Sequence, residues 1–288
     1  MDLSIIVVSF NTKDLLNNCL KSIFNQTKGI DFEVIVVDNG STDSSPETVK
    51  SLINQKKPLS LIENKKNFGF AKANNQAIKK ARGKYFFLLN SDTILKDSPF
   101  SELISFAKKH PQAGVIAPKL LNKDGSKQLS AASFFTLPKV LLWLSTGDRF
   151  LFSSPGKACQ ADWVMGAAML VRREAIEKAG LMDEDFFMYM EEVEWCFRIK
   201  KSGWQIWFNP EAEIYHLVRG SSSLGKEKAV LGIYQGLIYF YQKHFAPWQL
   251  GMLKFLLQTK AIGAWLIGAL FNKQDLKRTY AQAFKLAR

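Results

Sequence analysis

Closely spaced acidic residues near position 190 could do general acid–base chemistry. Glu191, Glu192 and Glu194 lie within four residues of one another, in the aromatic-rich segment DEDFFMYMEEVEWCFR. At helical spacing Glu191 and Glu194 share a face, whereas Glu192 points elsewhere. A solvated acidic face is the ordinary explanation of such a run. However, a carboxylate in an aromatic-walled pocket can have its pKa raised and serve as a general base.

Other polar residues could hold a nucleotide and a cation. Asp38 follows FEVIVV, and Asp92 ends Asn90-Ser91-Asp92 after YFFLL. Asp38 could accept a hydrogen bond from a base or ribose, although such an acid more often caps a helix. Asp92 could bind Mg²⁺ or Mn²⁺ through its hard oxygen ligands, with capping again the alternative. His216, in IYHLVRGSS, is either structural or a metal ligand whose following basic Gly/Ser loop holds phosphate.

The sequence patterns around these residues predict an α/β fold. Apolar, β-branched runs predict four buried strands, Leu3–Ser9, Phe32–Asp38, Leu59–Glu63 and Tyr85–Leu89. Helical patterns separate them, including one over Gly69–Ala81 that we expect to stop at Gly83. This alternation predicts a mostly parallel sheet with ligands at the carboxyl ends of its strands. The residues that fall at such ends are Ser9, Asn11, Asp38 and Asp92.

The second half of the chain is less regular. Its patterns predict a loop or interfacial helix at Ser133–Ser154, a strand at Trp163–Arg172, helices at Arg173–Ala179 and Phe186–Lys201, and a short strand at Gln205–Phe208. After Ser223 the chain is expected to be wholly helical. We therefore expect an α/β domain over 1–225, with halves 1–118 and 119–225, and a helical extension over 226–288.

Composition excludes several classes of protein. With 47% hydrophobic and 23% charged residues, the 288-residue chain is not globally disordered. Three widely spaced cysteines, Cys19, Cys159 and Cys196, exclude a disulfide scaffold or a CxxC metal site and fit a reducing compartment. The opening MDLSIIVVSFN is expected to be a strand rather than a signal peptide. Neither G-x-G-x-x-G after the first strand nor GxxxxGK[ST] occurs, which argues against Rossmann dehydrogenases and P-loop enzymes.

The C-terminal extension is basic and apolar. Of the net charge of +13, +7 lies in the last 60 residues, which hold eight Lys/Arg and one acid, Asp275. Large apolar residues between these charges favour an anionic membrane surface over nucleic acid, and a basic nucleic-acid-binding protein is the competing class.

This extension is expected to lie flat on the membrane without crossing it. The longest uncharged apolar stretch, Ala261–Phe271, has 11 residues, whereas a spanning helix needs about 20. Extending the stretch towards the N-terminus brings in Lys254 and Lys260. The side chains expected to enter the membrane are Trp248, Leu250, Leu253, Leu257, Trp265 and Leu266. Packing on the α/β domain, or on a second copy in a homodimer, is the alternative.

Seven motifs in a fixed order resemble one enzyme family. They are SIIVVSFN, VVDNGSTD, NFGFAKANN, LLNSD, WVMGAAMLVRREA, FFMYMEEVEWCFR and a histidine before a GSS loop. Over about residues 1–225 the chain resembles family 2 glycosyltransferases with the GT-A fold, in their bacterial rhamnosyltransferase-like branch. The resemblance implies inverting transfer of a sugar from a dTDP- or UDP-linked donor to a glycan or lipid-linked acceptor. That step would belong to cell-surface polysaccharide assembly, on the cytoplasmic face of the membrane.

The sugar stays open at this point. Rhamnose is one candidate, and a hexose or N-acetylhexosamine from a UDP donor is the alternative. The QxxRW signature of processive synthases is absent, so one sugar is expected per binding event.

The resemblance also implies residue roles at the nucleotide end, in the 1–118 half. The matching nucleoside-binding positions are Ser9, Asn11, Asp38 and Asn67, with Asp38 on the pyrimidine. Asn90-Ser91-Asp92 stands where the family has its DxD motif, so Asp92 would bind Mg²⁺ or Mn²⁺ and His216 would complete the metal or diphosphate site. Asn90 departs from the motif because it replaces the first acid.

In the 119–225 half, the resemblance implies the acceptor side of the reaction. Trp163 and Gly166 would line the sugar and acceptor cleft. Glu191-Glu192 stands where the family usually has Glu-Asp, so Glu192 would be the general base. Glu192 is one methylene longer than the usual aspartate, which is the second departure.

Overall fold

The computed structural model describes residues 1–147, 151–217 and 225–288, in which ten helices and twelve strands occur. The strands are β1 (Leu3–Ser9), β2 (Phe32–Asp38), β3 (Leu59–Glu63), β4 (Tyr85–Asn90), β5 (Thr93–Leu95), β6 (Ala113–Leu121), β7 (Ala131–Ala132), β8 (Phe152–Ser153), β9 (Cys159–Ala161), β10 (Trp163–Val164), β11 (Ala168–Arg172) and β12 (Gln205–His216). The helices are α1 (Lys13–Gln26), α2 (Ser45–Asn54), α3 (Phe70–Lys80), α4 (Pro99–Lys109), α5 (Leu137–Thr146), α6 (Arg173–Ala179), α7 (Glu191–Lys201), α8 (Gly225–His244), α9 (Pro247–Leu270) and α10 (Gln274–Leu286).

A nine-stranded mixed sheet forms the core, in the order β3-β2-β1-β4-β11-β6-β12-β5, with β9 also paired to β12. The four predicted strands are confirmed as β1 to β4 and are mutually parallel. Helices cover both faces of the sheet, and each face carries its own apolar cluster. The continuous apolar runs reflect this burial on both faces.

The predicted strand Trp163–Arg172 is divided in the structure. Trp163 and Val164 pair with β7 in a small three-stranded sheet, whereas Ala168–Arg172 enters the main sheet antiparallel to β4 and β6. Residues 165–167 therefore form a turn, with the Ala167 carbonyl accepting a hydrogen bond from Asn90 N–H at 2.9 Å. The apolar character of the whole run hid this break, because both pieces are buried.

Two further elements differ from expectation. The predicted helix over Phe186–Lys201 begins only at Glu191, because Tyr189 and Met190 both have a φ of 73°. Strand β12 runs from Gln205 through His216, with its register shifted between Asn209 and Glu213 around Pro210. Proline lacks the N–H for a regular ladder, so the strand bulges there instead of ending.

The helix α3 ends at Lys80, with Ala81 as its C-cap, so Gly83 does not terminate it. Gly83 also lacks the positive φ that a C-terminal glycine cap usually has. Instead, a side chain at Gly83 would lie 2.6 Å from the Ser4 backbone nitrogen. Close approach to β1 is therefore the reason for this glycine.

The region after 223 is helical, as expected from residue 225 onwards. In α9 the residues Leu253, Leu257, Ala261 and Gly268 are buried against the rest of the chain. The expectation that Leu253 and Leu257 face a membrane is therefore wrong, because both side chains are fully enclosed by protein. Trp248, Trp265 and Leu266 are exposed, as that expectation requires.

Candidate active site

Polar side chains from three elements meet at the carboxyl ends of β1 and β4. Ser9 Oγ lies 2.9 Å from Thr12 Oγ1, and the Thr12 hydroxyl donates to Ser91 Oγ at 3.0 Å. All three side chains are buried. This relay joins the first strand end to the Asn90-Ser91-Asp92 segment, so the parallel strands bring together residues about 80 positions apart.

Asp38 ends β2 directly beside Ser9 in the sheet register. Its Oδ2 accepts hydrogen bonds from the backbone N–H groups of Gly40 and Ser41, at 3.2 and 2.9 Å. Its Oδ1 is buried and accepts no hydrogen bond from any residue that the structure describes. Buried polar atoms are nearly always paired, so Oδ1 is an acceptor suited to an N–H of a bound ligand.

Asn11 and Asn67 hold the two loops that flank Asp38. The exposed Asn11, at a φ of 53°, donates its N–H to Ser41 Oγ and accepts from Thr42 N–H through Oδ1, both at 2.8 Å. Asn67 Oδ1 accepts from Asn39 Nδ2 and from Gly69 N–H, both at 2.9 Å. Both residues thus shape the loops at this sheet edge, and the buried Asn39 is a member of the site that sequence reasoning missed.

Asp92 and His216 meet because β5 pairs antiparallel with the end of β12, with Thr93 opposite His216. Asp92 Oδ1 lies 3.4 Å from His216 Nε2. The two residues predicted from distant parts of the sequence are therefore adjacent in the fold. The basic Gly/Ser loop at 219–223, expected to hold phosphate, lies outside the described residues.

Gln128 fixes the tautomer of His216. Its Nε2 donates to the His216 carbonyl at 2.6 Å, and its Oε1 lies 3.0 Å from His216 Nδ1. Because the amide oxygen is only an acceptor, Nδ1 must carry the proton and donate. In the neutral ring, Nε2 then presents its lone pair towards the Asp92 side, as a metal-binding histidine requires.

A carboxylate oxygen and an imidazole nitrogen suit a divalent cation such as Mn²⁺ or Mg²⁺. Across residues 1–147, 151–217 and 225–288, no three His, Cys, Asp or Glu side chains come together as a metal cluster. The protein thus offers a partial ligand set at Asp92 and His216, of the kind that phosphate oxygens can complete.

Glu191 and Glu192 are the first residues of α7, and their carboxylates interact electrostatically. Burial, reinforced by the neighbouring charge of Glu192, raises the pKa of Glu191 well above its usual value. Burial likewise raises the pKa of Glu192. Within the described chain, Oε2 of each has no hydrogen-bond partner. A carboxylate of raised pKa can accept a proton from a hydroxyl more readily than an ordinary glutamate.

The turn at Gly166 joins this pair to the strand ends. The backbone N–H of Gly166 faces the Glu192 carboxylate and partly offsets the rise in its pKa, and a side chain at Gly166 would lie 3.5 Å from Glu192 Cβ. The next residue, Ala167, accepts from Asn90 N–H. One short turn therefore positions the carboxylate pair relative to Asn90-Ser91-Asp92.

The side chains of Glu194 and Trp163 are engaged by other parts of the chain. Burial opposes ionisation of Glu194, but Arg198, Lys243 and His244 bond its carboxylate and hold its pKa below its usual value. Glu194 is thus held in an ionic cluster, whereas Glu191 interacts electrostatically with Glu192. Trp163 is buried, with its indole N–H donated to the Ser133 carbonyl at 3.0 Å.

Comparison with known sequences gives relatives among the glycosyltransferases. The family model described as glycosyl transferase family 2 matches residues 4–180. The N-acetylglucosaminyl-diphospho-decaprenol L-rhamnosyltransferase of Mycobacterium tuberculosis is 25% identical over 307 residues, which cover 99% of this chain and 97% of that protein.

Comparison with solved structures confirms the GT-A fold. GalNAc-T7, solved with UDP, GalNAc and Mn²⁺, superposes with a TM-score of 0.67 at 14% identity over 91% of this chain, which spans about half (51%) of that longer one. The mannosyltransferase PcManGT of Pyrobaculum calidifontis, with GDP-Man and Mn²⁺, gives 0.59 at 17% identity over 99% of this chain and 83% of that one. The fold and the family match, which covers more than half of the sequence, agree with the resemblance of the motifs: the chain belongs to glycosyl transferase family 2.

Proposed function

We propose that this glycosyltransferase moves one sugar, with inversion, from a nucleoside-diphosphate donor to a lipid-linked glycan acceptor in cell-surface polysaccharide assembly. The observation that carries the proposal is the Gly166 turn, which joins the raised-pKa carboxylate of Glu192 to the end of β4. Inverting transfer needs a base on the acceptor side and a leaving-group site on the donor side. The turn links Glu192, which is suited to act as the base, to the Asn90-Ser91-Asp92 segment, which is suited to the leaving-group site.

In the proposed reaction Glu192 takes the proton from an acceptor hydroxyl. The hydroxyl oxygen attacks the anomeric carbon in line, and the bond from that carbon to the diphosphate oxygen breaks with its electron pair leaving on the diphosphate. Glu191 stays next to Glu192, and the negative charge of Glu192 raises the pKa of Glu191 further. Gly166 N–H orients the base, and the backbone there lines the acceptor cleft, while the buried Trp163 supports that wall from behind.

The donor nucleoside is proposed to lie at the ends of β1 and β2. Asp38 Oδ1 accepts an N–H from the pyrimidine, and Ser9, Asn11 and Asn67 hold the surrounding loops. Asp92 and His216 are proposed to hold a divalent cation, Mg²⁺ or Mn²⁺, which neutralises charge on the diphosphate when bound. Asn90 replaces one carboxylate, so the donor itself must complete the ligand set.

Rhamnose from a dTDP donor is the proposed sugar, because the relative that matches over nearly all of both chains is a rhamnosyltransferase acting on a diphospho-decaprenol acceptor. A UDP-linked hexose or N-acetylhexosamine is the second candidate, since the structural neighbours were solved with UDP or GDP-Man. Melting temperatures with Mn²⁺ and dTDP-rhamnose, UDP-glucose or UDP-GlcNAc distinguish the two, because the true donor stabilises the protein most.

A lipid-linked acceptor favours placement of the enzyme at the inner face of the membrane. We propose that residues 1–225 form the catalytic domain, with a nucleotide half (1–118) and an acceptor half (119–225), and that 226–288 attach it to an anionic membrane surface. The exposed apolar side chains of α9, among them Trp248, Trp265, Leu266 and Leu270, support this proposal together with Phe271, which follows the helix.

The base assignment is tested by Glu192→Gln, which keeps the shape of the side chain and removes its basicity. A general base contributes about 10²–10⁴ in rate, so transfer should fall at least 100-fold while donor affinity stays within about twofold. The control is Glu174→Gln on the exposed face of α6, which should keep full activity. A Glu192→Gln enzyme with more than a tenth of the original rate would show that another group is the base.

A further inference from the structure

The backbone just before the carboxylate pair is held in an unfavourable conformation. Tyr189 and Met190 are consecutive residues with a φ of 73°, and the next residue is Glu191, the start of α7. Bulky side chains rarely adopt this left-handed region, and such residues persist only where their surroundings fix them. The contacts that hold this segment therefore determine where α7 begins and how Glu191 and Glu192 are aimed.

Two glycines of α8 supply those contacts. A Cβ on Gly232 would lie 2.7 Å from Tyr189 Cδ2, and a Cβ on Gly236 would lie 2.8 Å from Met190 Cβ and 2.9 Å from the Tyr189 carbonyl oxygen. Neither position has room for a side chain. Glycine inside a helix is unfavourable relative to alanine, so packing against the left-handed pair is the physical reason for both.

Both flanks of the segment are also anchored. On one side the Phe187 carbonyl accepts from Phe70 N–H at 3.0 Å, at the start of α3 beside the proposed nucleotide loop. In addition, Lys243 of α8 bonds Asp183, before the segment, at 2.7 Å and Glu194, after it, at 2.8 Å. Since Asp183 and Glu194 bracket the segment, Lys243 and the two glycines attach α8 to it at three positions.

We infer that Gly232 and Gly236 are positioning residues for transfer: they hold Tyr189 and Met190 in the left-handed conformation that aims Glu192 at the acceptor. This inference rests on the proposed role of Glu192 as base. It gives the first helix of the C-terminal extension a part in catalysis that is separate from any membrane attachment.

The test is glycine-to-alanine substitution at the two sites, with Gly251→Ala on α9 as the matched control, where a Cβ would meet nothing within 4 Å. Gly232→Ala and Gly236→Ala should each lower kcat at least about 10-fold, because small displacements of a catalytic group have large effects on rate. Their affinity for dTDP, or for UDP if that donor supports transfer, should stay within about twofold by calorimetry. Gly251→Ala should match the unmodified enzyme in both readouts.

Rescue separates positioning from general damage. In the Gly232→Ala background, Tyr189→Gly removes the ring that the new methyl group contacts and suits a positive φ, so kcat should recover by at least about threefold. If Gly236→Ala does not fold, the comparison of Gly232→Ala with the Gly232→Ala/Tyr189→Gly double variant still tests the positioning role. Alanine variants with full kcat, or loss of kcat together with nucleotide affinity and without rescue, would overturn the inference.

Glu192→Gln in the same assay keeps the two proposals distinguishable. If Glu192→Gln is inactive while both alanine variants are fully active, only the positioning inference fails. If Glu192→Gln is active, the base assignment fails, and the positioning inference, which depends on it, fails as well.

Discussion

Glu191 is buried at the start of α7, and no described residue hydrogen-bonds its Oε2. Its pKa is raised by burial and by Glu192, so the folded state holds its proton to a higher pH than the unfolded chain does. Stability therefore falls as pH rises from the unfolded pKa, about 4.3, through the folded one. Above the unfolded pKa, the burial of these carboxylates therefore costs stability.

Glu191→Gln should accordingly raise the melting temperature at neutral pH. A difference of one pKa value between the two states corresponds to about 1.4 kcal/mol, and each kcal/mol shifts the melting temperature of a chain of this size by roughly 2–4 °C. The gain should shrink in acid and vanish below about pH 4, where both states are protonated. Thermal melts across pH 4–8 measure it, and a variant less stable at pH 7 would contradict the assignment.

The pair Asp92 and His216 predicts dependence on a divalent cation. EDTA should abolish transfer and Mn²⁺ should restore it. Gln128→Met removes the acceptor that orients His216 Nδ1, and loss of such an outer partner typically weakens metal binding about 10–100-fold. The Mn²⁺ concentration for half-maximal activity should rise by that factor, whereas the exposed Gln112→Met should leave it unchanged. Equal activity in EDTA and in Mn²⁺ would refute the cation site.

At the scale of elements, α7 and α8 are joined by a buried ionic cluster around Glu194. Glu194 is fully enclosed and bonds Arg198 of its own helix together with Lys243 and His244 of α8. These partners outweigh the effect of burial and lower its pKa. A depressed pKa gives stability that is present above the unfolded pKa and is lost as pH falls through the folded one.

Glu194→Gln should therefore lower the melting temperature at neutral pH, the opposite of Glu191→Gln on the same helix. Removing one partner of a buried ionic pair costs about 3–5 kcal/mol. The deficit should narrow as pH falls below about 4.3, the usual glutamate value, because the unfolded chain then takes up a proton first. It should disappear below the lower folded pKa, where the native carboxylate is neutral too. Parallel melts of both variants check the sign of each effect, and two shifts of the same sign at pH 7 would contradict this account.

The sequence predicted the parallel half of the sheet well and the antiparallel insertion poorly. Buried parallel strands are continuous apolar runs, so β1 to β3 were bounded to the residue and β4 to within one. The break at Gly166 lies inside an equally apolar run, and hydropathy carries no sign of it. Tyr189 and Met190 are not residue types that favour a positive φ, so the late start of α7 had no local signal.

In the candidate site, too, the residues at the ends of regular strands were predictable and the others were not. Strand-end residues such as Asp38 and Asp92 were found because topology alone brings them to one edge. Gln128, which orients His216 from 88 residues away, had no local signal, because a lone glutamine has no characteristic spacing. Sequence thus predicts the site residues that lie at the ends of regular strands. Site residues that come from distant parts of the chain through packing are identified only once the fold is known.

At the scale of the whole molecule, the proposed membrane attachment depends on α9. By length and hydropathy it is the one helix of the described chain that could cross a bilayer, and only 17% of its apolar stretch is buried. Length and hydropathy alone do not establish a span, because the core helix of a soluble protein meets the same two criteria. Its buried stripe contacts the rest of the protein, with Gln258 bonding the Ala287 carbonyl and Lys260 the Leu144 carbonyl. A crossing helix would lose these contacts, whereas a helix lying flat keeps them.

Flat docking presents the opposite face of α9 to lipid. Leu266, Leu270 and Phe271 are half or more exposed there, and Leu141 and Leu142 of the contacting helix α5 are exposed as well. The basic residues of the extension then meet anionic headgroups, each contributing about 1 kcal/mol near the surface. Because salt screens the attraction between the basic residues and the headgroups but leaves apolar burial in place, high salt should weaken binding without abolishing it.

The protein should therefore sediment with vesicles that contain anionic lipid and be released in part by high salt and by alkaline carbonate. Burying a leucine is worth about 1.5–3 kcal/mol, so Leu266→Glu with Leu270→Glu should weaken binding at least about 100-fold without lowering the melting temperature. Gln55→Glu adds a charge at the exposed end of α2 and should change nothing. Resistance to carbonate would indicate a true span. A soluble dimer at low salt that the double variant splits into monomers would assign the face to a second copy of the chain instead, because the same apolar side chains would then be covered by protein.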